Sequence, residues 1–246
     1  MGWHCKATYD YTTSTPVYNY PNAYGLDNCD QIYYILKGKG WSTNAICGLI
    51  TCIGFESGYN PWRWQGDVLP TTLTYNGTAG NKGYGLVQWD PGSYENTADT
   101  PPHQNKYIDN PTSINVPGYG PNFADQVGSY YEGYAQMVWL DAHGSDQGDY
   151  YSSGYYYGNL EPTYAGFKTS TYPADSLCET WTQNFERAGG TYDPDKRLKR
   201  QALAVELWNR YNGMPVIQPD LPPGGGFPVW LLFKMRENNF GKGGLL

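Results

Sequence analysis

Between Trp41 and Gly58 the chain has little conformational choice. Ile46, Leu49, Ile50 and Ile53 recur at three- and four-residue spacing, which predicts a helix with one buried face. Ser42 or Thr43 supplies a hydroxyl to cap its first turn, and Ser57-Gly58 reads as its stop. Glu56 falls three residues after Ile53 and seven after Leu49, so the same helix carries its carboxyl onto the apolar face. A carboxylate there has to find a partner, keep a proton, or look into a cleft. On position alone, Glu56 is equally a solvated residue at a frayed helix end.

Other helices are marked by similar signals. Asp27 or Asn28 is expected to cap a helix carrying Cys29, Ile32, Tyr33 and Leu36, stopped by Gly38. Val127, Tyr130, Tyr131, Tyr134, Met137 and Val138 keep helical spacing up to His143-Gly144. Asp175 is expected to cap a helix with Leu177, Cys178, Trp181 and Phe185, closed by Gly189-Gly190. Asp193-Pro194 opens a last helix running through Leu198, Val205 and Trp208 to Gly213. Residues 57–92 read as a small lobe of loops and short strands, with Thr71 to Tyr75 before the turn signal Asn76-Gly77. Residues 93–122 and 145–173 read as irregular, the second a long Tyr-rich loop. The fold class is therefore α+β, predominantly α. Its organisation is an extended arm over 1–25, one domain over 26–212 and a Pro/Gly linker over 213–228. Residues 229–246 contain the apolar run Val229-Trp230-Leu231-Leu232-Phe233, which reads as a strap folding back, a docking segment, or the start of a further domain.

Composition removes several function classes. A net charge of −7 with 16% charged residues argues against nucleic-acid binding. Three histidines without metal-ligand spacing argue against a zinc peptidase, and no metal or other cofactor is expected. The five cysteines read as buried thiols: Cys47 and Cys52 lie on one helix at a spacing that disfavours pairing, and Cys29 and Cys178 fall on apolar faces. Met1 to Lys6 lead into Thr/Tyr-rich sequence without an apolar signal core, and no apolar run is long enough to span a membrane.

Four segments then belong together: Gly40 to Leu49; Glu56-Ser57 with Asn60-Pro61 and Trp64-Gln65; Gly83-Tyr84-Gly85-Leu86-Val87-Gln88-Trp89; and Asn184-Phe185-Glu186-Arg187. In this order they resemble the phage tail lysozymes, specifically the phi29 type of tail-tip lysozyme domain, over roughly residues 27–212 with the middle third poorly matched. Glu-Ser-x-x-Asn-Pro with a later Gly-Leu-x-Gln also marks lytic transglycosylases. The resemblance implies a lysozyme-like fold with a cleft between two lobes and a muramidase cutting the glycan strand of bacterial peptidoglycan. Glu56 would be its general acid, protonating the oxygen between N-acetylmuramic acid and N-acetylglucosamine. Asp67 is the first candidate for a second carboxylate. Asp90 stands where the family is expected to carry Thr, and either adds a carboxylate or means nothing. Without either, Glu56 acts with substrate assistance, as in a lytic transglycosylase. Gln88 reads either as a hydrogen-bonding group in the cleft or as a buried amide tying the lobe together. Asn60 and the aromatics Tyr59, Trp62, Trp64, Tyr84 and Trp89 are candidates to contact sugar rings. Glu186-Arg187 reads as a structural ion pair. The resemblance further implies a place on the virion tail, action at the cell wall during infection, and other tail proteins or a second copy as partners of the C-terminal segment. A decayed structural or wall-binding tail protein and an endolysin for host lysis are the remaining readings.

Overall fold

The computed structural model describes residues 3–4, 7, 9–10, 20–61, 63, 85–88, 127–128, 131–145, 150, 160–186 and 194–214. Among them helices dominate. In chain order they form β1 (Trp3–His4), β2 (Tyr9–Asp10), β3 (Tyr20–Pro21), α1 (Ala23–Gly38), α2 (Thr43–Ser57), β4 (Val127–Gly128), α3 (Tyr131–His143), α4 (Tyr164–Thr169), α5 (Ala174–Asn184) and α6 (Pro194–Tyr211). Most of the lobe expected over 57–92, including the hairpin signal from Thr71 to Gly77, lies outside the described residues, as do Gly189-Gly190 and the run Val229 to Phe233.

The central element is α2. Ser42 caps it, its hydroxyl accepting from Ala45 N, and Gly58 ends it in the left-handed region at φ 61° with its N–H on Gly54 O. The sequence promised one buried face, but eleven of the fifteen residues are buried. A helix apolar on nearly every side belongs inside other helices. Accordingly α1, α5 and α6 surround it, with α4 across its start. On α2 and α5, Gly48 lets two backbones approach: a Cβ there would lie 2.8 Å from Cys178 N and 3.0 Å from Leu177 C. The thiols of Cys52 and Cys178 consequently meet at 3.7 Å, and Cys29, Cys47, Cys52 and Cys178 are all free and buried. A second aromatic layer packs Trp41, Tyr150, Tyr164, Phe167 and Trp181 around α4, with Trp181 stacked on Phe185 at 4.4 Å.

Extended segments from the N-terminus are built into this core. β1 pairs antiparallel with β4, Trp3 opposite Gly128 and His4 opposite Val127, while β2 pairs with β3. Trp3 is fully buried against Gly133 of α3, whose missing Cβ leaves room for the indole. Buried Asn28 is the clasp: its amide donates to His4 O and Tyr59 O at 2.9 Å each and accepts from His4 N at 3.0 Å.

Several local expectations are corrected. α1 starts at Ala23, not at an Asp27 or Asn28 cap. Asn22 caps it by accepting from Gly25 N at 2.7 Å, and Asn28 is occupied in the core. Val127 belongs to a strand, so the third helix begins at Tyr131. The expected long loop over 145–173 contains α4, capped by Thr163, and its Tyr164 hydroxyl donates to Leu140 O. Asp175 lies inside the first turn of α5, behind Pro173 at the cap position, where its negative charge still suits the helix dipole. On α6 the buried face is Arg200, Leu203, Ala204, Leu207 and Tyr211, so Leu198 and Val205 are exposed instead. Met214, placed in the linker by composition, packs against the core and accepts from the Tyr34 hydroxyl.

Gly48→Ala tests the α2–α5 approach. Helix propensity favours alanine by about 1 kcal/mol, whereas forcing two backbones apart costs about 1–3 kcal/mol. The variant is expected to unfold at lower urea concentration than the parent. An equal or higher midpoint would mean that the close approach carries no weight.

Candidate active site

Glu56 sits in the last turn of α2, where the helix stops and the chain reverses. Gly58 and Tyr59 both take positive φ, 61° and 67°. Left-handed backbone costs a tyrosine about 1–2 kcal/mol, and burial offsets that cost. The Tyr59 ring is fully enclosed against Gly54, and its carbonyl is held by Asn28. Tyr59 is therefore a core residue here and not a surface on which a sugar ring can stack. Asn60 is also buried, its N–H donating to Ser57 O and its carbonyl accepting from Arg63 N. Both belong to the turn that fixes the end of α2.

Around the Glu56 carboxyl, α5 and α6 supply the partners. Arg200 of α6 points Nη2 at Glu56 Oε1 at 3.4 Å and Nη1 at Glu186 Oε2 at 2.9 Å. Nη1 also donates to Thr182 Oγ1 of α5 at 2.6 Å, and the guanidinium lies 5.0 Å over the Phe55 ring of α2. Glu186, just beyond the end of α5, hydrogen-bonds to the Glu56 carboxyl. The side chains of Arg200 and Glu186 retain only 8% and 9% exposure, whereas Glu56 retains 31%. Of the two carboxyls, Glu56 is thus the one an outside molecule can reach.

Burial first, and then the charge of Glu186 with its hydrogen bond, push the Glu56 carboxyl up to about 8, while Arg200 opposes the shift. At neutral pH it is mostly protonated, the state a general acid needs. Glu186 cannot also be the group that works from the far side of a glycosidic bond. Glycosidase carboxyls stand about 5–5.5 Å apart in retaining enzymes and about 6.5–9.5 Å in inverting ones, whereas a hydrogen-bonded pair leaves no room for a sugar between its members.

The sequence reading pairs Glu186 with its neighbour Arg187. In the structure Glu186 pairs with Arg200, and Arg187 lies outside the described residues. Arg200 itself was missed, hidden in the charge-rich start of the last helix. The one hint was its place on the face shared by Leu203, Leu207 and Tyr211.

The chain after Glu56 and the glycine turn at Gly85-Leu86 are joined by another missed residue. Gln136 of α3 donates to Pro61 O and accepts from Leu86 N, both at 2.7 Å. It also presses on Gly85, which at φ 82° has no Cβ to obstruct it. Gln88 adds a second tie, its amide donating to Arg63 O at 3.0 Å and Gly85 O at 2.8 Å. The bond to Arg63 ties the glycine turn to the chain beyond Pro61. Trp62, Trp64, Gln65, Asp67, Tyr84, Trp89 and Asp90 lie outside the described residues. Among the described residues no His/Cys/Asp/Glu group is arranged to hold a metal, and no helix is long and apolar enough to cross a membrane.

A mostly helical fold, an acidic side chain closing its central helix, and a glutamine-tied glycine turn are the context in which the comparisons fall. The chain matches the phage tail lysozymes over residues 27–211 and belongs to that family. It is also 40% identical over 74 residues to Morphogenesis protein 1 of Bacillus phage B103, a match covering 29% of this chain and 18% of that protein. The chain therefore spans under a fifth of the length of that relative.

The raised Glu56 acidity constant has a stability signature. An unfolded glutamate titrates near 4.5, and the folded one at about 8. Between those values the native state binds the extra proton, so stability falls as pH rises through that window. Glu56→Gln removes this loss. Its Tm is expected to exceed the parent's at about pH 8 and to approach it at about pH 5. A parent whose Tm declines no more steeply than the variant's would contradict the raised value.

Proposed function

We propose that this chain is a tail-borne glycosidase that cuts the glycan strand of bacterial peptidoglycan between N-acetylmuramic acid and N-acetylglucosamine, opening the wall during infection. The observation that carries the reading is the Glu56 carboxyl at the end of α2, reachable from solvent and set against Glu186 and Arg200, where burial raises its pKa. Membership of the phage tail lysozymes and the likeness to a phage morphogenesis protein support the substrate and the setting. Glu56 gives its proton to the leaving oxygen as the bond breaks, which avoids expelling a free alkoxide. Asn60, Trp64, Tyr84 and Trp89 remain candidates to hold the strand, and Gln88 acts by fixing the turn beside it. A decayed structural protein is the weaker reading, because such a protein has no use for a strained turn and a desolvated acid kept together.

Glu56→Gln is expected to stay folded and lose at least about 100-fold in clearing of purified cell walls, the scale of a lost general acid. Clearance equal to the parent's would overturn the assignment.

The second step of the reaction has two versions. Hydrolysis with inversion needs a carboxylate to activate water, and Glu186 is excluded by its contact with Glu56. Asp67 is the proposed base. That same exclusion is what favours the alternative, in which the substrate assists and the product is a 1,6-anhydro sugar, as in a lytic transglycosylase. Mass analysis of muropeptides separates them. Reducing ends with a severe rate loss in Asp67→Asn support hydrolysis, whereas a wholly anhydro product assigns transglycosylation.

The segment beyond Met214 is proposed to attach the enzyme to another tail protein or a second copy through Val229 to Phe233. Because Met214 packs on the core, the informative truncation falls after it. The shortened protein is expected to clear walls at the parent's rate and fail to enter particles. Loss of activity would assign the segment to the catalytic unit.

A further inference from the structure

We propose that Arg200 and Glu186 are positioning residues that keep the transferable proton on Glu56, Arg200 by holding Glu186 as the ionised member of the carboxyl pair. The proposal rests on Glu56 being the acid, and it explains which of two touching carboxyls carries the proton.

Three asymmetries support it. In distance, Arg200 makes its short bond, 2.9 Å, to Glu186 and its long one, 3.4 Å, to Glu56. In burial, Arg200 and Glu186 are enclosed while Glu56 is partly open. A buried guanidinium requires one negative charge nearby, and Glu186, enclosed with it and at the shorter distance, is the carboxyl placed to supply that charge. In anchoring, Arg200 is fixed from three sides by Thr182 Oγ1, Glu186 and the face of Phe55. It is therefore not free to swing fully onto Glu56. With Arg200 drawn closer to Glu186 than to Glu56, the Glu186 charge outweighs what the cation offers a second carboxylate, so Glu56 keeps its proton and donates it toward Glu186.

The remaining groups that face this site do not compensate. Cys52, one turn back on α2, is kept a neutral thiol by burial, and Cys178 of α5 lies against it. The next charged pair along α5 and α6, Glu179 with Arg197, closes on itself at 3.1 Å. Among the described residues Arg200 is the cation paired with Glu56, and Glu186 is the anion that shares it.

The test reads the pH profile and the proton itself in the full chain. Removing the Glu186 charge leaves Glu56 as the carboxyl that Arg200 pairs with, so Glu56 ionises earlier. In Glu186→Gln the basic limb of wall clearing is expected to move to lower pH by about one unit, a rate loss approaching tenfold above the limb. In the double variant with Arg200→Gln the limb returns toward the parent's position, a recovery that mere structural damage cannot produce. Carbon-13 titration of the Glu56 carboxyl in the same proteins is expected to shift in the same directions. A parent that clears walls while Glu186→Gln leaves limb and titration unmoved overturns the positioning role and leaves the function standing. A carboxyl that shifts as described in a parent without wall activity does the reverse. Should Glu186→Gln not fold, Arg200→Gln alone carries the test. Loss of the cation must let Glu186 take a share of the proton, seen as its carbon-13 carboxyl signal moving toward the protonated form at neutral pH while that of Glu56 moves away from it, and a proton that stays wholly on Glu56 overturns the proposal.

Discussion

The approach of α2 to α5 at Gly48 is the constraint on which the rest of the arrangement depends. With no side chain at that position, the backbone of Cys178 packs directly on α2, and the two helices run on together toward their C-terminal ends. One turn on, the thiols of Cys52 and Cys178 touch. A further turn brings Glu56 and Glu186 into contact. Two carboxyls come together only if something compels it, and here the compulsion is backbone packing two turns away. α6 then covers the seam and brings Arg200, without which two buried carboxyls would be costly to hold.

A second constraint acts on the chain just beyond α2. The left-handed pair Gly58-Tyr59 turns the chain back on itself, and Tyr59 tolerates that backbone because its ring and carbonyl are both captured. Asn28 captures the carbonyl and, through the same amide, fastens β1. Gln136 catches the chain again at Pro61 and clips it to Gly85-Leu86. One asparagine and one glutamine thus connect the N-terminal strand, the end of the acid-bearing helix, and the glycine turn. Each is buried and multiply bonded, so each contributes more by what it prevents (unsatisfied backbone groups in the core) than by its own bonds.

Periodicity and cap signals marked α2, with Ser42 or Thr43 to cap it and Ser57-Gly58 to stop it, because these are local properties of one helix. Its partners were not legible. Arg200 is 144 residues from Glu56, and in a segment reading Asp-Lys-Arg-Leu-Lys-Arg-Gln one arginine looks like the next. The same helix showed why: Leu198 and Val205 gave the apolar signal, yet the buried face includes Arg200 and leaves those two exposed. Charge on a buried face defeats a pattern built on hydrophobicity. Tyr59 misled in the opposite sense, since an aromatic next to a motif resembles a sugar platform until the backbone turns it inward. α4 was hidden because its Tyr-Ala-Gly-Phe-Lys-Thr sequence is too short for periodicity to show, and the aromatic layer beneath it is what holds it.

The pairing of Glu56 with Glu186 divides labour in a way that bears on the reaction. A glycosidase using two carboxylates across a bond lets each influence the other only through space, with a sugar between them. Here the second carboxyl is pressed against the first and tied to a buried arginine, so in the proposed reaction it would set where a proton resides rather than meet water or an anomeric carbon. On the proposed reading, whatever completes the reaction comes from residues facing Glu56 or from the substrate. The acid half is self-contained in three helices, α2, α5 and α6, joined by backbone packing and one guanidinium. Such a half-site is compatible with either completion. Within one framework of acid and helices, the choice between water and an internal nucleophile would rest on residues facing Glu56 across the bound strand.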